Sequence, residues 1–153
     1  MSAFDLHTLD LIKSREGVID VKITSPRRIT ATVSPGSYRT FVEFLAQSGF
    51  EHVVAITGVD TGNGIEVLLH LGTSTVVTVK TLLSPDTPEL DSVADILQGI
   101  PFYEREVHDL LGVKILNNPD MSRVMLPADW PEGVYPLRRS FVSKTPEPLR
   151  KVD

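Results

Sequence analysis

Phe50-Glu51-His52-Val53-Val54-Ala55-Ile56-Thr57-Gly58-Val59 runs into Asp60-Thr61-Gly62-Asn63-Gly64 and then into Ile65-Glu66-Val67-Leu68-Leu69-His70-Leu71. The two flanks are apolar and rich in β-branched residues, and the segment between them is small and polar. That composition predicts two strands joined by a tight turn. Val76 to Leu83 predicts a third neighbour, so the three strands are expected to form an antiparallel meander. His70 is expected as an outward or hydrogen-bonded strand residue rather than a ligand. Gly62-Asn63-Gly64 is a hairpin turn. No G-x-G-x-x-G opening a helix and no Walker A pattern occurs, so no nucleotide site is expected.

Towards the N-terminus, Phe4 to Arg15 predicts a short helix from Leu6, Leu9 and Ile12, ended by Gly17. Val18 to Thr24, the turn Ser25-Pro26-Arg27, and Ile29, Ala31 and Val33 predict a hairpin. Ser34-Pro35 opens a helix carrying Phe41, Val42, Leu45 and Ala46, closed by Gly49. On the other side, Ser84 to Pro88 breaks the sheet. Glu89 to Gln98 predicts a helix with Val93, Ile96 and Leu97 inward, and Pro101 starts another that runs to about Leu111. Beyond Gly112, Pro119, Pro127, Pro131, Pro136, Pro146 and Pro148 discourage regular structure. Apolar residues persist there, among them Met121, Val124, Trp130, Tyr135, Leu137 and Phe141, which a disordered tail usually lacks. The expected fold class is therefore α+β: a mostly antiparallel or mixed sheet with helices packed on it over residues 1–112. An extended C-terminal arm over 113–153 belongs to the same structural unit and lies on its own domain or on a partner.

The chain has 153 residues, 41% apolar and 23% charged, with a net charge of −5. One globular domain of ordinary composition follows. The acidic balance argues against nucleic acid as a partner. No cysteine is present, which excludes disulfides, thiolate nucleophiles and Cys-ligated zinc or iron–sulfur clusters. Met1 to Asp10 contains Asp5 and Asp10 and no signal-peptide core, and no stretch has the length of a membrane helix. Service to a membrane machine from its aqueous side, without membrane insertion, is the expectation.

Phe102 to Leu111 is the densest polar constellation. On a helix, Tyr103, Val107, Leu110 and Leu111 form an apolar stripe bordered on opposite sides by Glu104 and Glu106. Arg105, His108 and Asp109 are expected to face away from it, with Arg105 and Asp109 spaced to pair. Two carboxylates, a His and an Arg invite a catalytic reading, and Glu104 and His108 have a helical metal-site spacing. Acid/base work needs groups that converge on one cleft, however, and Glu104 and Glu106 diverge. A helical site of paired histidines would need a second His, and His7, His52 and His70 are distant in sequence. A charged interface helix or a solvated face is favoured over an independent small enzyme. Trp130, Tyr135, Arg138 and Arg139 among prolines fit anchors of a protein–protein contact or a coil folded on its own domain.

In this order, Glu104-Arg105-Glu106, Asp109-Leu110-Leu111-Gly112, Asn118-Pro119, Arg123 to Pro127, Trp130 and Pro136-Leu137-Arg138-Arg139 resemble the respiratory-chain NADH dehydrogenase 30-kDa subunit family, which includes related energy-converting hydrogenase subunits. The resemblance implies an α+β subunit without catalytic residues, metal or cofactor of its own. It implies a place in the hydrophilic arm of a quinone-reducing complex, peripheral to the cytoplasmic membrane. Partners would be the large hydrogenase-related, 49-kDa-type subunit and iron–sulfur subunits. Glu104, Arg105, Glu106, Asp109 and Arg123 would shape the subunit contact, and Trp130, Tyr135, Leu137, Arg138 and Arg139 would anchor the arm. Phe102 stands where many members have Trp, and His108 where many have an aromatic residue. An equivalent subunit of a nickel–iron hydrogenase is the alternative the resemblance leaves open.

Overall fold

The computed structural model of the protein describes residues 9–143. Residues 9–13 are helical and bury Ile12, while 4–8 of the expected helix, and Pro146 and Pro148 of the arm, lie outside the described residues. Alternating patterns then give β1 (Val18–Ser25) and β2 (Arg28–Val33), an antiparallel hairpin. A single 3-10 turn, Pro35–Ser37, leads into helix α1 (Tyr38–Gln47). The meander follows as β3 (Val53–Asp60), β4 (Ile65–Gly72) and β5 (Val76–Leu83), antiparallel throughout, with Asp60↔Ile65 at the first turn and Gly72↔Val76 at the second.

The sheet order is β1-β2-β5-β4-β3, and β2 pairs with β5 in parallel, from Arg28↔Val76 to Thr32↔Lys80. The sheet is thus mixed. The physical reason lies in the connection. Helix α1 carries the chain from β2 back across the sheet, so β3 enters in the same direction as β2. Two reversals then bring β5 back in that direction beside β2. One face is closed by alternating residues: Ile65, Val67, Leu69 and Leu71 of β4, Val77 and Val79 of β5, Ile29, Ala31 and Val33 of β2. Tyr38, Phe41, Val42 and Leu45 of α1 join the same core.

The helix expected over Glu89 to Gln98 is absent. Glu89–Asp91 is instead a short strand, β6, paired in parallel with β7 (Lys114–Leu116) through Leu90↔Ile115. Tertiary partners claim the backbone that a helix would need: Ser92 N–H donates to Leu116 C=O and Val93 N–H to the Glu104 carboxylate. What remains is one turn in which Val93 C=O accepts from both Ile96 and Leu97 N–H. Val93 and Leu97 are buried and Ile96 half-buried, so the apolar spacing is used without a helix.

Helix α2 (Ile100–Leu111) has Pro101 in its first turn and ends at Gly112, whose φ of 70° closes the last turn with its N–H on His108 C=O. Packed on the edge strand, its Leu111 side chain sits where a Cβ on Gly58 would be. Only a glycine at 58 allows this approach.

Candidate functional site

The polar residues of α2 are the ones singled out by sequence, and the arm explains their geometry. After β7, residues 117–141 contain no strand or long helix but follow the outer face of α2. Such a path leaves backbone N–H groups without regular partners, and they need acceptors. Asp109 supplies one: its Oδ2 accepts from Val124 N–H at 2.8 Å and Met125 N–H at 2.9 Å. Asp109 is 4% exposed. The expectation that Arg105, His108 and Asp109 face away from the packed side, and that Arg105 pairs with Asp109, is therefore corrected. Arg105 Nε donates to Ser122 C=O at 2.7 Å, its Nη2 to Ser122 Oγ at 2.8 Å, and its Nη1 lies 3.2 Å from Asp120. His108 Nδ1 lies 2.9 Å from Val113 C=O. The arm covers the face that periodicity alone assigns to solvent, and charge-assisted hydrogen bonds hold it there.

Glu104, expected at the border of the apolar stripe, is 3% exposed. Its carboxylate accepts from Ser92 Oγ at 2.7 Å, Val93 N–H at 2.9 Å and Asn118 Nδ2 at 2.6 Å. One side chain thus joins the turn after β6, α2 and the root of the arm. Ser92 is a partner that sequence reasoning passed over, hidden inside a segment read as helix. Asn118 stood in the quoted motif, and its hydrogen bond to Glu104 gives that motif a physical reason.

Further along, Arg123 Nη1 gathers Pro127, Ala128 and Trp130 carbonyls at 3.1, 3.2 and 2.7 Å. Trp130 Nε1 donates to Val134 C=O at 2.8 Å, and its ring lies 6.2 Å from that of Phe141. Tyr135 packs directly on Gly112, where any Cβ would overlap its ring. Arg138 and Arg139, expected as anchors of the arm on a partner or on its own domain, find acceptors within this chain. Arg138 Nε donates to Leu111 C=O and its Nη1 to Pro85 C=O at 3.2 Å, while Arg139 N–H donates to Asp60 Oδ2 at 3.0 Å and its Nη1 to Thr61 C=O at 3.1 Å. The Arg139 and Gly62 N–H groups hold the Asp60 carboxyl below its ordinary pKa.

A cleft of about 370 Å³ lies between α2 and the arm, lined by His108, Asp109, Arg123, Trp130, Glu132 and Tyr135 among others. Glu104, Glu106 and His108 do not converge on it as an acid/base set, since Glu104 is spent internally and Glu106 borders the opposite side, near β3. Among the described residues no group of three His, Asp or Glu is placed to hold a metal ion. No helix among them is long and apolar enough to cross a membrane. The surface left by this packing is apolar in places: Phe102 is 52% exposed, Met125 47% and Leu137 56%.

The sequence model of the family described as "Respiratory-chain NADH dehydrogenase, 30 Kd subunit" matches residues 31–147. The C subunit of the F(420)H(2) dehydrogenase of Methanosarcina mazei is 31% identical over 84% of this chain and 85% of its own length. The C/D subunit of the NADH-quinone oxidoreductase of Phocaeicola vulgatus is 41% identical over 63% of this chain, which spans 19% of that longer protein. Among solved structures, a chain of the membrane-bound sulfane sulfur reductase, an archaeal respiratory membrane complex, matches with a TM-score of 0.80 and 28% identity, covering 92% of this chain and 86% of its own.

Proposed function

Because the chain belongs to the respiratory-chain NADH dehydrogenase 30-kDa subunit family, we propose that it is a non-catalytic subunit of the peripheral arm of a membrane-bound respiratory oxidoreductase, at the cytoplasmic face of the membrane. Its partner in this reading is the large hydrogenase-related, 49-kDa-type subunit, with iron–sulfur subunits beside it. The observation that carries the reading is the family match, which runs from β2 into the C-terminal arm. The double designation C/D of the longer relative, one polypeptide carrying the names of two subunits, supports the choice of partner.

The arm's construction supports a docking role. Glu104, Arg105, Asp109, Arg123 and Arg138 fasten it from within. Trp130, Tyr135 and Leu137, with Glu106 and Arg139 nearby, are left partly or largely exposed for contact. A prefastened arm loses less conformational entropy on binding than a free one, so more of its contact energy appears as affinity. The electron donor is a separate matter. The relatives are named for F420H2, for NADH and for sulfane sulfur, so the same scaffold serves complexes with different redox chemistry. Affinity purification of the tagged chain from native membranes, with mass spectrometry of what co-purifies, tests the reading. Recovery of a hydrogenase-like large subunit with iron–sulfur subunits is expected, and nickel-ligating cysteines in that large subunit would select the hydrogenase alternative. Recovery of the chain alone, under conditions that keep such complexes intact, would refute it.

A further inference from the structure

β1 and β3 are the two edges of the sheet, and they are not alike. β1 carries Asp20 and Lys22 and two register irregularities, features that discourage pairing with another chain. β3 is irregular only between Val53 and Ala55, and from Ala55 to Val59 it has neither a charge nor a proline. Thr61 N–H donates to Gly64 C=O at the turn. The alternation of an antiparallel ladder then points Val59, Thr57 and Ala55 at β4 and leaves the N–H and C=O groups of Gly58 and Ile56 directed outward. Among the described residues nothing pairs with them. Helix α2 runs alongside in the same direction, with Tyr103 near Val53 and Leu111 over Gly58, so that a groove lies between helix and edge. One end of it is a hollow of about 700 Å³ between Glu51, Val53 and Tyr103. The other lies between Ile56, Glu106, Leu110 and Leu137, and the arm closes it where Arg139 meets Asp60. The lining holds two carboxylates, Glu51 and Glu106, and no Lys or Arg. Neither carboxylate has an ion-pair partner among the described residues.

We propose that this edge is a strand-addition site. An extended segment of a neighbouring subunit, apolar at alternate positions and bearing Lys or Arg opposite Glu51 and Glu106, pairs with the outward backbone of Ile56 and Gly58 and lays its apolar side chains along α2. Backbone pairing supplies affinity in such an arrangement, and the helix wall supplies selectivity. A second copy of this chain fits poorly, because it brings another acidic groove to an acidic groove. The inference rests on the reading of the chain as a subunit of a larger complex and adds a second contact to the arm.

The test uses the tagged full chain in its native membranes, with photoreactive benzoylphenylalanine in place of the exposed Thr57. Irradiation is expected to link position 57 to one segment of a co-purifying subunit that is apolar at alternate residues and carries a Lys or Arg. Hydrogen exchange of Ile56 and Gly58 is expected to be slower in the purified complex than in the isolated chain. Glu51→Lys lowers the cross-link yield about tenfold, since like charges now meet, while the arm, which does not involve Glu51, still recovers the complex. A complex recovered intact, in which these amides exchange as in the free chain and position 57 stays uncross-linked, overturns this inference alone. So does a cross-link to a second copy. A chain that recovers no other subunit overturns the functional reading, and this inference with it.

Discussion

Glu104 shows how one residue can be misplaced by periodicity. Its helical position puts it beside an apolar stripe, which reads as a rim. In the fold it is an internal acceptor for Ser92, Val93 and Asn118. Glu104→Ala would leave three donors without their acceptor, two of them buried, and each orphaned buried group costs about 1–3 kcal/mol. Urea unfolding of the isolated chain should show a loss of at least about 2 kcal/mol. Tyr38 makes the opposite case. Its hydroxyl is buried with no partner among the described residues, and burial, followed by the Glu104 charge, pushes its pKa up. Removing an unsatisfied polar atom at constant shape is close to neutral or favourable. Tyr38→Phe is therefore expected to keep stability unchanged or raise it by about 1 kcal/mol in the same assay. Neither role was legible in sequence, because Ser92 and Asn118 come from segments whose position relative to α2 no local pattern encodes.

Among the elements, the five long strands were readable, whereas the short β6 was read as the start of a helix and β7 as part of the arm. β3, β4 and β5 are apolar, β-branched runs separated by small polar turns, which marks them as strands. Glu89 to Gln98 has helical spacing over a single turn only, and long-range hydrogen bonds decide against propensity there. The arm behaves as an element in its own right, held by discrete ties that can be cut one at a time. Asp109→Ala should speed hydrogen exchange at Val124 and Met125 while leaving the β3–β5 amides protected, since those two N–H groups lose their acceptor. Acid should release the far end of the arm. Asp60 has a folded pKa below its ordinary value of 3.8. Its contribution is therefore fully present above that value and lost as pH falls below it, through the folded pKa. Exchange at Arg139, measured by NMR across that window and corrected for the intrinsic pH dependence, should accelerate. Asp60→Asn should remove the pH dependence.

The molecule as a whole joins a mixed sheet, closed on one face by α1 and α2, to an arm strapped across α2 from Asn118 to Arg139. That strapping changes what a surface mutation means. Arg138→Ala acts on the fold, because its guanidinium ties Leu111 and Pro85. Leu137 is 56% exposed and its side chain projects from a backbone already fixed by the Leu137 N–H to Leu110 C=O bond. Leu137→Asp is accordingly expected to shift the melting temperature of the isolated chain by no more than about 2 °C. The same variant should markedly reduce recovery of the complex from native membranes, since it places a charge in an apolar contact.

Local patterning was enough to specify the α+β class, the five long strands, the turn at Gly62-Asn63-Gly64 and the bounds of α2, because composition, alternation and capping are properties of neighbouring residues in the chain; the ordered motifs from Glu104 to Arg139 carried the resemblance to the family. It also marked the residues of the arm and of α2 as a set. It could not specify that β2 and β5 run parallel, that Glu89 to Gln98 is not a helix, or that Glu104, Arg105, Asp109 and Arg138 find partners within this chain. Those outcomes depend on which distant backbone groups compete for the same donors and acceptors, and that competition exists only once the arm and the sheet have been brought together.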